Sequence, residues 1–271
     1  MTGIGVEVPS TGAAGNGVFV QSLARGLAVI RSLTGERSLP LPEIARRSSL
    51  DRATARRFVL TLEQLGYLAG DGKEYALTPR VLSLGYAPMA GSSLAAVAAP
   101  YLAELVADIG EPASVAVLDR DEVAYVARVQ VRTLRTMDIG VGTRLPAYAT
   151  SLGRVLLASL PPEELASYLD RVQRVPLTGR TLTGREPLVA ELDRVRRAGW
   201  SLVDGELEDG VRSIAVPLTD ATGRTVAAAN VSSHVQERSV DDLPAQLLPP
   251  LRAIAARIER DLRSGRPPAS G

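Results

Sequence analysis

The chain has no cysteine and a single histidine, His234, among 271 residues. The first absence excludes disulfides, thiolate metal sites and a cysteine nucleophile. One histidine cannot build a histidine-rich metal centre and is a poor start for a Ser-His-Asp triad. Serines lie near His234, but no nucleophile-elbow pattern accompanies them. Aromatic residues are scarce, with two Phe and one Trp. Gly140-Val141-Gly142 lacks the third glycine of a dinucleotide-binding loop. No apolar run approaches the roughly 20 residues needed to span a bilayer. Together these gaps predict no cofactor, no metal and no catalytic centre of a familiar kind.

What remains is an ordinary soluble composition, 45% hydrophobic and 23% charged, long enough for one large domain or two smaller ones. The net charge of +1 does not argue for a polyanionic partner, but its distribution does. Residues 1–86 carry 10 Lys/Arg against 7 Asp/Glu, while residues 87–271 carry 21 against 23. Residues 1–18 have neither a basic start nor an apolar core. They read as a disordered tail rather than a signal peptide, and the chain is expected in the cytoplasm. Residues 264–271 read as a second tail.

Five arginines (Arg46, Arg47, Arg52, Arg56 and Arg57) fall within twelve residues, offset only by Asp51. The same stretch has the periodicity of two short helices. Leu23, Leu27, Ile30 and Leu33 mark a first helix, with Ser22 placed to cap it and Gly35 to end it. Pro42 suits the first turn of a second helix, which ends at a Ser48-Ser49-Leu50 turn. Asp51 is a natural cap for a third, whose stripe is Ala55, Phe58, Val59, Leu62 and Leu65. Opposite that stripe lie Arg56 and Arg57, with Arg52 on its shoulder. Tyr67–Ala69 and Glu74–Leu77 then flank Gly70-Asp71-Gly72-Lys73 as a hairpin. Three helices and a hairpin, over 19–78, make a winged helix-turn-helix. In that geometry Arg52, Arg56 and Arg57 reach guanine edges or phosphates. Thr54 contacts a phosphate or a thymine methyl, and Lys73 and Ser22 position the backbone. A merely solvated helix face is the alternative.

Thr78-Pro79 opens a linker helix and hinge over 79–92. Residues 93–263 alternate helices and strands in a largely hairpin-linked order, as an α+β domain with an antiparallel sheet requires. Helices are expected over 94–109, 151–159, 163–171, 187–198 and 240–263. Strands are expected over 114–118, 123–129, 134–139, 200–203, 212–218 and 225–232. Gly140-Val141-Gly142-Thr143 reads as a flexible loop delivering Ala149-Thr150-Ser151 to a helix start, where free N–H groups favour a small carboxylate. Asp204, Glu206, Glu208 and Asp209 have the look of an acidic metal loop, although a solvated turn is the preferred reading. Arg132, Arg135 and Arg144 suit either a second carboxylate or the surface.

These motifs together resemble the IclR family of transcription regulators over residues 19–262. The resemblance runs through Val20-Gln21-Ser22-Leu23-Ala24-Arg25-Gly26-Leu27, the Asp51–Gly66 helix, Leu145-Pro146-Ala147-Tyr148-Ala149-Thr150-Ser151-Leu152-Gly153-Arg154, Gly210-Val211-Arg212-Ser213-Ile214-Ala215 and the Asn230–Ser232 strand. The opening and Pro-Ala-Tyr-Ala-Thr-Ser segments are similar to the PcaR/PcaU/PobR branch, whose members control aromatic-acid breakdown through the β-ketoadipate pathway. The resemblance implies an N-terminal winged helix-turn-helix and a C-terminal GAF-like effector domain. It also implies an operator DNA partner, a small carboxylate effector, and homodimers that pair into tetramers. Carried over by position, the effector pocket would comprise Leu134, Leu145, Ser151, Leu152, Asp204, Val211, Ser213, Asn230 and Ser232. Ser49 stands where the family usually has a glycine, and Arg56 occupies a commonly neutral position. An enzyme acting on an organic acid, with the winged module as accessory, is the rival reading. A winged module that contacts protein is the other.

Overall fold

The computed structural model describes residues 19–82, 84, 94–131, 139–234 and 239–264. The expected tail over 1–18, residues 265–271, Leu134, Arg132, Arg135 and most of the 79–92 linker and the 134–139 strand lie outside them. The chain divides into two compact units, Met1–Ala90 and Gly91–Gly271.

In the first unit, α1 (Gln21–Ser32), α2 (Leu41–Arg47) and α3 (Arg52–Gln64) enclose a core of Val29, Leu33, Ile44, Val59 and Leu62. Val20, not Ser22, occupies the α1 cap position, and no side chain caps it; Ser22 lies exposed inside the first turn. Asp51 does cap α3, accepting from Thr54 N at 2.9 Å, and hydrogen bonding from the Thr54 side chain and then its N–H holds the carboxyl below the usual range. Ser49 takes φ 55°, the left-handed conformation that a glycine would adopt more cheaply. Strands β2 (Leu68–Gly70) and β3 (Glu74–Leu77) form the wing. A two-residue strand, β1 (Leu39–Pro40), completes an antiparallel β1-β3-β2 sheet. Periodicity cannot reveal so short a strand. Pro79–Leu82 form a 3-10 turn.

The second unit is built on a six-stranded antiparallel sheet of order β6-β5-β4-β9-β8-β7. Its strands are β4 (Ala113–Asp119), β5 (Glu122–Val129), β6 (Arg144–Pro146), β7 (Ser201–Asp204), β8 (Val211–Thr219) and β9 (Thr225–His234). Alternation along the strands sorts side chains to two faces. Val115, Ile214, Val216, Ala229 and Val231 meet α4 (Leu94–Ile109) and α8 (Asp242–Ser264) on one of them. There Tyr101 hydrogen-bonds Asp261, and the Arg257 guanidinium lies 4.5 Å from the Tyr101 ring centre. The other face packs Ala116, Tyr125, Ala215 and Ala228 against α5 (Ser151–Ala158), α6 (Pro162–Arg171) and α7 (Arg185–Ala198). No helix among the described residues is long and apolar enough to cross a membrane.

Candidate functional site

The first unit carries a cationic groove between α3 and the wing, lined by Arg52, Ala53, Arg56, Leu60, Glu63, Gly72 and Lys73 with Leu41, Pro42 and Tyr75. Lys73 is presented by a tight turn in which Asp71 Oδ1 accepts from the N–H groups of Lys73 and Glu74, both at 2.8 Å. Gly72 takes φ 87° there, so only a residue without a side chain fits easily. Arg52, Arg56 and Arg57 are exposed and make no side-chain hydrogen bond or ion pair among the described residues. Arg57 and half-buried Thr54 lie outside the groove lining on the same helix.

The other two arginines of the sequence cluster behave differently. Arg46 and Arg47 both clamp Glu43 (2.5 and 2.7 Å), and Arg47 also meets Glu36 at 2.8 Å. Their hydrogen bonds pull the Glu43 carboxyl down to about 2. Of the five clustered arginines, the three on α3 are therefore the ones without an ion-pair partner among the described residues, and Lys73 of the wing joins Arg52 and Arg56 in lining the groove.

In the second unit a cavity of about 490 Å³ opens against the polar part of the sheet. Register places Arg128 opposite Ser114 and Ser114 opposite Asn230, making one polar row across β5, β4 and β9. Ser213 lies opposite Ser232, and Val211 opposite His234, in rows beside it. Thr150-Ser151 at the start of α5 supplies another wall; Thr150 Oγ1 caps that helix, accepting from Gly153 N at 3.0 Å. Tyr125, Val131, Ile139, Val203 and Leu207 add apolar surface, and burial pushes the Tyr125 hydroxyl up to about 12. Gly110-Glu111-Pro112, directly after α4, closes one side.

Five of the nine positions expected in the pocket thus surround this cavity: Ser151, Val211, Ser213, Asn230 and Ser232. Leu145 and Leu152 do not. They are buried in the core beneath α5, because both point to the packed side of their elements. Asp204 is drawn away by Arg212 (2.5 Å) and Arg180 (2.7 Å). Arg144 is a surface residue bridging Asp119 and Glu122. The Gly140–Thr143 loop does not hang free; Gly142 N donates to Tyr125 O and Tyr125 N to Thr143 O. The acidic loop is only partly solvated, with Asp209 exposed but Glu206 buried. No metal-holding cluster occurs among the described residues, and Glu206 is buried on Arg154 at 2.5 Å. That pair ties the loop to α5, with Arg154 Nε donating to Tyr148 O and Glu206 Oε2 accepting from Leu182 N.

Sequence reasoning missed Arg128, the one lysine or arginine lining the cavity among the described residues. Its Nε, Ser151 Oγ and Asn230 Oδ1 are buried without a hydrogen-bond partner. Only the sheet register could have found it, since Ser114 and Asn230 lie far from it in sequence.

Comparison with known proteins matches both units. Residues 22–72 fit the IclR helix-turn-helix domain, and residues 88–260 fit the bacterial transcriptional regulator IclR C-terminal family. The Pca regulon regulatory protein of Pseudomonas putida is 44% identical over 239 residues, spanning 88% of this chain and 82% of that protein. A solved transcriptional regulator of Rhodococcus sp. RHA1 is 49% identical with a TM-score of 0.79, covering 90% of this chain and 98% of its own. An IclR homolog from Microbacterium hydrocarbonoxydans, solved in complex with 4-hydroxybenzoate, is 28% identical with a TM-score of 0.78 (90% and 99% covered). Those relatives are regulators rather than enzymes. The chain belongs to the IclR family of bacterial DNA-binding transcription regulators, in the branch that includes the Pca regulators.

Proposed function

We propose that this regulator reads its operator with α3 and the wing, and that a small aromatic carboxylic acid in the sheet-side cavity adjusts operator affinity. The observation that carries the second half is an apolar-walled cavity of about 490 Å³ whose floor holds unsatisfied polar groups. Such a division, with apolar walls and a few convergent polar atoms, is that of a small-molecule site. The 4-hydroxybenzoate bound to the Microbacterium relative supports the aromatic acid. Arg52, Thr54, Arg56 and Arg57 are assigned to base edges and phosphates, and Lys73 and Ser22 to the backbone. In the cavity Ser151, Ser213, Asn230 and Ser232 orient the ligand's polar groups while Val211 packs on its carbon skeleton.

A single winged module offers few base contacts, so two copies on a two-fold-related site are needed. Phe19, Val20, Leu23 and Leu27, exposed by 59%, 58%, 63% and 40% at the start of the first unit, are the surface for a second copy. Light scattering that finds only monomer would remove this element. Effector binding can change operator affinity only by its preference between two domain arrangements.

The test pairs two variants. Arg57→Ala is expected to weaken operator binding about 10- to 100-fold if it reads a base, or to lower the salt dependence by about one counterion if it holds a phosphate. Its affinity for 4-hydroxybenzoate should not change. Ser213→Leu should do the reverse by filling the cavity. Normal operator binding by Arg57→Ala in gel shifts, or normal ligand titration by Ser213→Leu in calorimetry, would defeat the corresponding assignment.

A further inference from the structure

We propose that the arginines of α3 divide their work: Arg57 reads a guanine in the major groove, while Arg52, Arg56 and Lys73 clamp one sugar-phosphate strand between α3 and the wing. The inference rests on the reading of the first unit as an operator-binding module and names the side chain that carries its specificity.

The division follows from rotation about the α3 axis. Successive side chains turn by about 100°, so the buried stripe of Ala55, Val59 and Leu62 fixes which residues face away from the core. Ala53, Arg57 and Gln64 lie within about 30° of the direction opposite that stripe, and all three are exposed. Arg56 is turned about 90° from that direction, and Arg52 further still. Both line the groove together with Gly72, Lys73 and Tyr75 of the wing, and Arg57 does not. Leu60 and Glu63, on the same flank of α3, are half-buried there. The wing therefore leaves the Ala53–Arg57 face as the part of α3 presented to a major groove.

The chemistry of each place agrees. An arginine directed into the groove can set its planar fork against O6 and N7 of guanine. Ala53, one turn earlier, carries only a methyl, which lets α3 come close and suits a thymine methyl. Gln64 lies about 10 Å further along the axis, beyond the N-terminal half of the helix that meets base edges. Thr61 is exposed one turn after Arg57, but its hydroxyl donates to Arg57 O at 2.8 Å, so its proton is used within the helix. Between α3 and the wing three cations converge on one groove, which suits a polyanionic strand rather than a single base edge. The Asp71 turn holds Lys73 in place there. Glu63, the acidic residue of that lining, sits two turns beyond Arg56, so the strand passes at the Arg52 end.

The test starts from duplexes that the full-length parent selects from a randomised DNA library. Arg57→Ala should relax the selection at one G·C pair in each half-site. On the parent's selected duplex, changing that pair to A·T should cost the parent about 10- to 100-fold in affinity and Arg57→Ala less than about 2-fold. Arg57→Lys keeps the charge without the fork, so it should lose part of the discrimination while keeping the parent's salt dependence. Arg56→Ala and Lys73→Ala should select the parent's sequence and bind all duplexes more weakly by a common factor. Each should also lower the slope of log affinity against log salt by about one per winged module. Arg56→Lys should restore that slope. These variants change exposed side chains and should keep the parent's melting temperature. A changed base preference in Arg56→Ala, or undiminished discrimination by Arg57→Ala, overturns the division while leaving the operator-binding reading in place. A parent that selects no sequence overturns both.

Discussion

Arg154→Met is expected to cost about 3–5 kcal/mol of folding stability, the usual penalty for removing one partner of a buried ion pair. Arg154 is fully enclosed, and Glu206 nearly so. Removing the cation strands a carboxylate that keeps only the Leu182 N–H as its hydrogen-bond partner. The double variant Arg154→Met/Glu206→Leu should recover most of the loss, because the desolvation penalty disappears with both charges. Urea unfolding at fixed protein concentration measures both. A single-variant cost below about 1 kcal/mol would place the pair among ordinary surface bridges. The pair also holds the loop that carries Leu207 and Glu208 into the cavity wall. The single variant should consequently lose 4-hydroxybenzoate affinity at temperatures where it is still folded.

Gly153→Ala should be comparably severe for a different reason. A Cβ there would sit 2.1 Å from Ala147 O and 2.4 Å from Ala147 Cα, which are backbone atoms that cannot swing aside. Overpacking usually costs about 1–3 kcal/mol, and a clash with backbone belongs at or above the top of that range. The start of α5 must then move away from the 147–149 turn and take Ser151 with it. Loss of ligand binding and a lowered unfolding midpoint are the expected pair of results. Gly179→Ala, with open space around it and no strained backbone, is the control and should stay within about 0.5 kcal/mol. If both glycine variants behave alike, the close approach of α5 to that turn is not what fixes the wall.

These two residues show where sequence reading stops. Helical periodicity, the Asp51 cap and the Gly72 turn are local signals, and they were enough to place the winged module and most elements of the second unit. Arg154 reads as one residue of a family-like motif, but its partner lies 52 positions away in a loop that looks merely acidic. Burial of that loop depends on how Thr178 and Thr181 hydrogen-bond Gly205 and Glu206, which no spacing rule anticipates. A motif does not say which side of an element meets ligand and which meets core, and Leu145 and Leu152 face the core. Strands β1 and β6 are too short to show alternation and exist only through pairing with β3 and β5. The neutralisation of Arg46 and Arg47 depends on the α2 geometry, which brings Glu43 within reach of both.

The cavity wall at Gly110-Glu111-Pro112 follows directly from α4, which is itself the first described helix after the single stretch of chain joining the two units. One helix therefore leads from near the start of the second unit to the cavity wall. Side chains on the strand floor can be exchanged to retune which molecule is sensed without touching that helix. The vocabulary of the sensor and the grammar by which it speaks to DNA can accordingly diverge at separate rates.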